Sequence, residues 1–190
     1  MSNRKSGTIV HGEGSVISVV AVPIVFIFDE PYVVFIRRAR HLLRHANQIA
    51  FPGGMVEDGE TLVEAMFREL EEEIGVSRDR CTLFGELSST VAGKSNLFVQ
   101  AFLVRIDRPH FRLNKSEVQD LYLVNLSLFD KIPCNEIVLP SGSRTCRFVI
   151  DGIVIWGATA RIIRDSLAKI KQLLEGFKDE LSDHQGDQSR

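Results

Sequence analysis

The sequence predicts an α/β (α+β) architecture: a mixed β-sheet covered by α-helices. Three observations carry this. Apolar, β-branched runs are short and bounded by turn residues. Two segments carry the 3.6-residue apolar period of amphipathic helices. Strands and helices alternate irregularly, which argues against repeated βαβ units and for a sheet of mixed direction. The 190 residues suffice for one sizeable core, and two full domains are not expected. Residues 1–14 read as a polar lead-in, 15–178 as the domain, and 179–190 as a polar tail.

The first strong signal is the apolar run Ser15 to Phe28, within which Val19 to Phe28 reads as a strand. It is too short to span a bilayer and contains Pro23. Arg4 and Lys5 precede it, as basic residues would in a secretory signal. No small-residue cleavage site follows, and the run leads directly into further strand-like sequence, which favours a buried strand. Tyr32 to Arg37 is its partner across a turn placed at Asp29–Glu30–Pro31. Arg38 to Ala50 is basic and irregular and leads to the turn Phe51-Pro52-Gly53-Gly54.

Thr61 to Ile74 reads as a helix, closed by Gly75 where a left-handed residue is cheap. Cys81–Leu87, Leu97–Ile106 and a segment around Tyr122–Val124 follow as strands. Cys146–Ile150 and Ile153–Trp156, joined by Asp151-Gly152, read as a hairpin. Ala158 to about Phe177 is a closing helix with Ile163, Leu167, Ile170, Leu174 and Phe177 on one stripe.

Charge excludes little, because 23 Lys and Arg stand against 25 Asp and Glu and the balance says nothing about nucleic acid or membranes; neither is expected as a partner. Cys81, Cys134 and Cys146 have neither disulfide-framework nor zinc spacing and read as buried reduced thiols. That points to a reducing, cytoplasmic compartment. The oligomeric state stays open, a homodimer being among the options.

The segment Arg68–Gly75 raises the chemical question, since it holds four glutamates and a single cation. Like charges three and four apart on a helix repel. At about 100° per residue, Glu72 lies at about 300° and Glu73 at about 40° from Glu69, so these three carboxylates share a face. Val63, Phe67, Leu70 and Ile74 form the adjoining apolar face, while Glu64 and Glu71 point away from both. Arg68 neighbours Glu72 at i, i+4. An isolated acidic helix face is most often only solvated. Three carboxylates beside a buried face also make an oxygen-only site suited to Mg²⁺ or Mn²⁺.

The frame around the helix favours the second reading. From Gly54, five residues lead to Glu60 and seven more to Arg68; then follow Glu69, Leu70, Glu71, Glu72, Glu73, Ile74, Gly75 and Val76. This resembles the Nudix box at every defined position. The resemblance implies the Nudix fold, a mixed β-sheet sandwiched between helices, and metal-dependent hydrolysis of a nucleoside diphosphate linked to another group. It makes Glu69, Glu72 and Glu73 the candidate metal ligands, the Gly54 carbonyl a further one, and Glu60 with Arg68 a brace of the loop–helix turn. Glu117, before the Tyr122 strand, is the candidate general base, with Asp120 its nearest competitor.

The stretch Arg37–Gly54 further resembles the signature of coenzyme A pyrophosphatases in that superfamily, through Arg38-Ala39, Leu42, His45, Gln48 and Phe51–Gly54. Ile155–Ile162 also looks like the start of that subfamily's last helix. Leu43 stands where the signature has Arg, and Asn47 where it has Gly. The expected products are 3′,5′-ADP and 4′-phosphopantetheine. Arg37, Arg38, Arg44, His45, Gln48 and Lys94 become substrate-contact candidates within a basic segment that includes Arg40 and His41. The alternatives are ADP-ribose, dinucleotide polyphosphates or nucleoside triphosphates as substrate, or a non-catalytic binding module.

Overall fold

The computed structural model describes residues 17–92 and 97–186, with side chains described as far as Phe177. The lead-in 1–14, Lys94 and the last four residues of the tail lie outside the described residues. The elements are β1 (Ile17–Ile27), β2 (Glu30–Arg38), β3 (Ile49–Ala50), β4 (Gly53–Met55), α1 (Leu62–Ile74), β5 (Cys81–Glu86), β6 (Thr90–Ala92) and β7 (Leu97–Ile106). Then come β8 (Val118–Asn125), the short α2 (Leu128–Lys131), β9 (Asn135–Val138), β10 (Arg144–Ile150), β11 (Ile153–Trp156) and α3 (Gly157–Gly186).

The first eight strands form one mixed sheet in which β1 and β7 pair in parallel and every other pairing is antiparallel. β1 is covered on both faces, which is why it reads as a continuous apolar run rather than an alternation. Val19, Ala21 and Val25 face the cluster built around α1, with Met66, Leu70 and Ile74. Val22 and Ile24 face the opposite cluster, with Ile163, Ile170 and Leu174 of α3 and Phe148 and Ile155 of the second sheet, β11-β10-β9. The Nudix-type layering expected from the sequence is what the chain adopts: helices on both faces of a mixed sheet.

The detail that positions the site is a divergence of β1 and β2. They pair only through Ile24–Ile27 and Glu30–Val33. Beyond that point β4 takes over the edge of β1, through Ser18–Val20, and β3 pairs with Ile36 and Arg37 of β2. Ile36 pairs with both Ala50 and Leu121, so β3 and β8 lie on opposite edges of β2. The Phe51–Gly54 turn therefore fills the gap between two splaying strands. Pro23 falls where that edge of β1 passes from β4 to β2; it has no partner on that edge and pairs with Val104 of β7 on the other.

Several sequence expectations shift. The first turn lies at Phe28-Asp29, with φ of 49° and 63°, and Glu30 and Pro31 already belong to β2. These angles are those of a two-residue hairpin whose twist matches its strands. The expected second hairpin forms, with Asp151 and Gly152 at φ of 48° and 80°. α3 continues to Gly186, past the end of its apolar stripe and into the segment read as tail. β3 and β4 form in stretches that read as irregular and as a turn, and β6, α2 and β9 in stretches that read as no element; each is four residues or fewer, too short for a periodicity to show.

The thiol reading needs correction. Cys134 and Cys146 form a disulfide, with Cα atoms 5.6 Å apart. β9 and β10 pair through Asn135 and Arg147, which brings the two cysteines beside one another across adjacent strands. That register cannot be read from their spacing. Cys81 alone is a thiol, and burial pushes its pKa up to about 12, leaving it unreactive. Cysteine usage therefore no longer argues for a reducing compartment. No helix among the described residues is long and apolar enough to cross a membrane.

Candidate active site

α1 begins with a capping box: Thr61 Oγ1 accepts from the Glu64 N–H, and the Glu64 carboxylate accepts from the Thr61 N–H. The Thr-x-x-Glu spacing is a sequence signature of this cap in addition to the Gly75 stop signal. The helix ends at Gly75, with φ of 70° and its N–H bonded to the Glu71 carbonyl. A Cβ there would come within 2.9 Å of the Arg112 carbonyl. Both helix ends are thus fixed by local chemistry, which sets the rotation of the carboxylate face.

The three glutamates have graded environments. Glu72 is exposed, Glu69 is largely covered, and the Glu73 side chain is 1 % exposed. Glu73 Oε2 accepts a 2.9 Å bond from the Gly53 N–H. Its other oxygen, Oε1, is buried with no hydrogen-bond partner and lies 3.6 Å from Arg38 Nη1. Burial above all raises the Glu73 pKa to about 8; the nearby charges of Glu69 and Glu117 add to this, while Gly53 N–H and Arg38 oppose it. Glu69 is raised by burial in the same way, with Arg68 pulling it back.

Arg68 organises the other carboxylates. Its Nε and Nη2 grip the two Glu60 oxygens at 2.7 and 3.1 Å, its Nη1 donates to Glu69 at 2.8 Å, and Glu72 lies 3.3 Å away. Nη2 also donates to the Met55 carbonyl. The fork holds Glu60 well below the usual carboxylate range. One guanidinium thus ties the loop, the helix and two candidate ligands together.

Two glycines make the approach close. A Cβ on Gly54 would sit 2.2 Å from Glu69 Oε1, and one on Gly53 would sit 2.2 Å from the Val19 carbonyl. The Gly54 carbonyl, a ligand candidate, accepts a 2.7 Å bond from Ser18 Oγ, a contact nothing in the sequence signalled. The loop before β8 wraps the end of α1: Asn114 N–H donates to the Glu73 carbonyl and Arg112 N–H to that of Ile74. This brings Glu117 near enough to perturb Glu69 and Glu73. The Ala39 N–H donates to the Glu117 carbonyl, so the same point anchors the basic loop.

The remaining candidates divide. Arg37 is engaged away from the carboxylates, 3.6 Å from Asp120, stacked 5.1 Å over Tyr122 and bonded to Asn47 Oδ1. Asp120 is thereby occupied. His45 Nδ1 and Gln48 Oε1 are 3.0 Å apart within the loop. His45 and Asn47 have φ of 55° and 60°; Asn is among the residues that tolerate such angles, so it can stand where glycine is expected. Arg40, His41, Leu43 and Arg44 are exposed. Lys94 is outside the described residues.

Among the described residues no three His, Cys, Asp or Glu side chains lie close enough, as oriented, to share one ion. Glu69 and Glu72 turn to Arg68, and Glu73 turns to Gly53. Even so, the donor set suits a hard divalent cation. It is all oxygen, partly buried, and includes a carboxylate oxygen with no hydrogen bond.

Comparison with known proteins agrees with the fold and identifies the family. The NUDIX domain model matches residues 18–133, more than half of the chain. The chain is 31% identical over 150 residues to a Nudix hydrolase, NudL, of Yersinia pestis, covering 71% of this chain and 70% of that one. It is 28% identical over 127 residues to Nudix hydrolase 3 of Caenorhabditis elegans, covering 65% of this chain and only 50% of the worm protein. Among solved structures, a MutT/nudix family protein from Enterococcus faecalis superposes with a TM-score of 0.58 at 15% identity, over 88% of this chain and 70% of that one. A C. elegans Ap4A hydrolase complex gives 0.52 at 20% identity, over 61% and 84%. The NUDIX domain of Shewanella oneidensis NrtR, solved with ADP ribose, gives 0.50 at 15%, over 64% and 80%. With the box geometry, both helix-flanked faces and these matches in agreement, the chain belongs to the NUDIX domain family, among relatives named as Nudix hydrolases.

Proposed function

We propose that the chain is a Mg²⁺- or Mn²⁺-dependent pyrophosphohydrolase that cleaves the diphosphate of coenzyme A or its derivatives to 3′,5′-ADP and 4′-phosphopantetheine. The observation that carries the metal-dependent part is the buried Glu73 carboxylate, whose Oε1 has no hydrogen bond and which lies near Glu69 and Glu117. Glu69, Glu72 and Glu73 would hold the ion, with the Gly54 carbonyl available beside Glu69. A divalent ion there supplies Lewis acidity to the diphosphate and acidifies water near neutral pH.

The chain's own groups do the rest. Gly53 N–H fixes Glu73 Oε2 and so sets the direction of Oε1. Arg68 orients Glu69 and Glu72. In this proposal the Glu117 carboxylate, whose charge acts on both Glu69 and Glu73, takes the proton from an attacking water. The basic loop is the support for coenzyme A, which carries a 3′-phosphate besides its diphosphate. Its base is tied to Glu117 through Ala39, and Arg40, His41 and Arg44 are exposed along it.

A second reading keeps the chemistry and changes the substrate to ADP-ribose, a dinucleotide polyphosphate or a nucleoside triphosphate. Leu43, fully exposed where the coenzyme A signature has Arg, favours it. The third reading, a binding module without catalysis, has to explain why all three box carboxylates are retained.

The test is a panel of coenzyme A, dephospho-coenzyme A, ADP-ribose, diadenosine polyphosphates and nucleoside triphosphates, each with Mg²⁺ and Mn²⁺. Coenzyme A giving the highest kcat/KM supports the proposal. A higher value for another diphosphate moves the assignment to that substrate, and no turnover with either metal leaves the binding module. The cytoplasmic placement and any homodimer belong to the same proposal.

A further inference from the structure

Arg38 and Glu73 form an ion pair that is close but incomplete. The nearest atoms, Nη1 and Oε1, are 3.6 Å apart, beyond hydrogen-bond reach. Arg38 Nε and Glu73 Oε1 are both buried without a hydrogen-bond partner. A short stretch away, Arg68 and Glu60 make a two-pronged contact at 2.7 and 3.1 Å, so this chain builds a full carboxylate–guanidinium fork where one is wanted. A buried carboxylate oxygen facing only a loose counter-charge, as Glu73 Oε1 does, is poorly compensated for its lost hydration.

The backbone keeps Arg38 in this position. Arg37 pairs with Asp120 and Arg38 with Val118, so Gln119 is an extra, unpaired residue in β8. Such a bulge re-aims side chains at the end of a strand. Arg38 N–H is held by the Gln48 carbonyl and its carbonyl by the Asn47 N–H, so the residue cannot slide along β2. Its side chain remains about a quarter exposed, which leaves it an open route outward.

We propose that Arg38 is a resident counter-cation for Glu73, which yields the carboxylate to a divalent ion and is thereby released to a phosphate of the substrate. Two positive charges cannot share Glu73 Oε1 without strong mutual repulsion. The arriving ion therefore competes with Arg38, and the displaced guanidinium is left beside the site, suited to pair with a phosphate oxygen. Arg38 acts here through Glu73, as a positioning residue, before it meets substrate. This rests on the reading that the Glu69–Glu72–Glu73 face takes a divalent ion.

The experiment is a Mn²⁺ titration of the substrate-free full chain, followed by electron paramagnetic resonance of unbound Mn²⁺, for wild type, Arg38→Met and Arg38→Lys, at a pH above the value of about 8 to which Glu73 is raised, so that its carboxylate is ionised. Removing the competing charge should tighten Mn²⁺ binding by about tenfold or more, the scale on which one nearby charge acts. Lys keeps the charge and should stay near wild type. ADP, as a diphosphate probe at saturating Mn²⁺, should bind Arg38→Met more weakly than wild type, so the two affinities move in opposite directions. Weaker Mn²⁺ binding in Arg38→Met would make Arg38 a brace for Glu73, and unchanged binding would make it irrelevant to the ion; either overturns the inference. Should Arg38→Met fail to fold, Arg38→Gln removes the charge with a polar side chain and answers the same question. If the wild type itself binds no Mn²⁺, the metal reading falls along with this one.

Discussion

Gly53 and Glu73, twenty residues apart in the chain, are joined by a 2.9 Å bond from the backbone N–H to Oε2. This bond couples the turn between the splaying strands to the last turn of α1. It also fixes one oxygen of the buried Glu73 carboxylate, so that Oε1 is the one left to interact.

Glu73→Gln keeps the shape and an acceptor for Gly53 N–H but removes the buried charge. Glu73 has a folded-state pKa raised to about 8, above its ordinary value of 4.5. The folded state therefore holds this proton more tightly, and the wild type loses stability as pH rises from 4.5 to about 8. In EDTA the variant should be more stable than wild type at pH 8, by on the order of 1–4 kcal/mol, and nearly equal to it at pH 4.5. Calorimetry at both pH values checks this. Added Mn²⁺ should raise Tm in the wild type far more than in the variant, and turnover in the variant should fall by orders of magnitude. Glu71→Gln, on the exposed side of α1, is the control.

Arg68→Ala removes the cation that binds Glu60, Glu69, Glu72 and the Met55 carbonyl together. Both stability and Mn²⁺ affinity should fall, the first by roughly 1–3 kcal/mol for the loss of charge-assisted bonds. Lys should restore only part of each, because it lacks the planar fork. Denaturant melts and Mn²⁺ titration of the three proteins are the measurements. Full rescue by Lys would reduce Arg68 to simple charge balance.

The adjacent glycines should fail in different ways. On Gly54 a new Cβ meets the end of a flexible side chain, Glu69, which can turn aside. Gly54→Ala should therefore fold nearly normally yet lose metal affinity and activity. On Gly53 the new Cβ meets the Val19 carbonyl and Val20 Cα, which belong to a central strand. Gly53→Ala should destabilise the fold by about 2–4 kcal/mol or shift β4 off β1. Similar stability losses for the two variants would contradict this division.

What the sequence allowed to be read depended on how local each signal is. The carboxylate face, the Gly75 cap and the Asp151-Gly152 turn follow from helical geometry and from angles that few residues adopt, all within a dozen residues. Arg68 could be linked to Glu72 for the same reason, and to Glu60 only through the resemblance to the Nudix box. Ser18 binding the Gly54 carbonyl, the Gly53–Glu73 bond and the Arg38–Glu73 pair join segments that only the sheet brings together. Arg37 and Arg38 look equivalent in sequence, but strand alternation sends one to Tyr122 and the other to Glu73. The disulfide escaped because Cys134 and Cys146 meet through the register of β9 on β10.

That disulfide closes a loop between residues 12 apart. By the loop-entropy argument, reduction should cost roughly 2–3 kcal/mol. Melting with and without a strong reductant, next to the Cys134→Ala/Cys146→Ala double variant, measures it. The double variant should melt lower than wild type and ignore the reductant. The Nudix box shares no residue with this hairpin, so Mn²⁺ affinity should not change.

The substrate prediction turns on Arg44, which lies on the basic loop, exposed and with no partner among the described residues. Its replacement by Ala should leave the melting temperature unchanged, since no contact is lost. If Arg44 meets the 3′-phosphate of coenzyme A, the variant forfeits one charge-assisted contact, worth on the order of 1.5–3 kcal/mol. That is roughly a ten- to hundredfold drop in kcat/KM for coenzyme A, with little change for dephospho-coenzyme A, which lacks that phosphate. The wild-type preference between the two should sit toward the lower end, because Leu43 occupies the place of a second cation and points into solvent. Leu43→Arg should increase it. The measurement is kcat/KM for coenzyme A, dephospho-coenzyme A and ADP-ribose with wild type, Arg44→Ala and Leu43→Arg. If ADP-ribose is the best of the three, or if Arg44→Ala slows both coenzyme A forms alike, the loop does not read the 3′-phosphate and the coenzyme A proposal fails. Metal binding at Glu69, Glu72 and Glu73 would stand regardless, because it depends on none of the residues varied here.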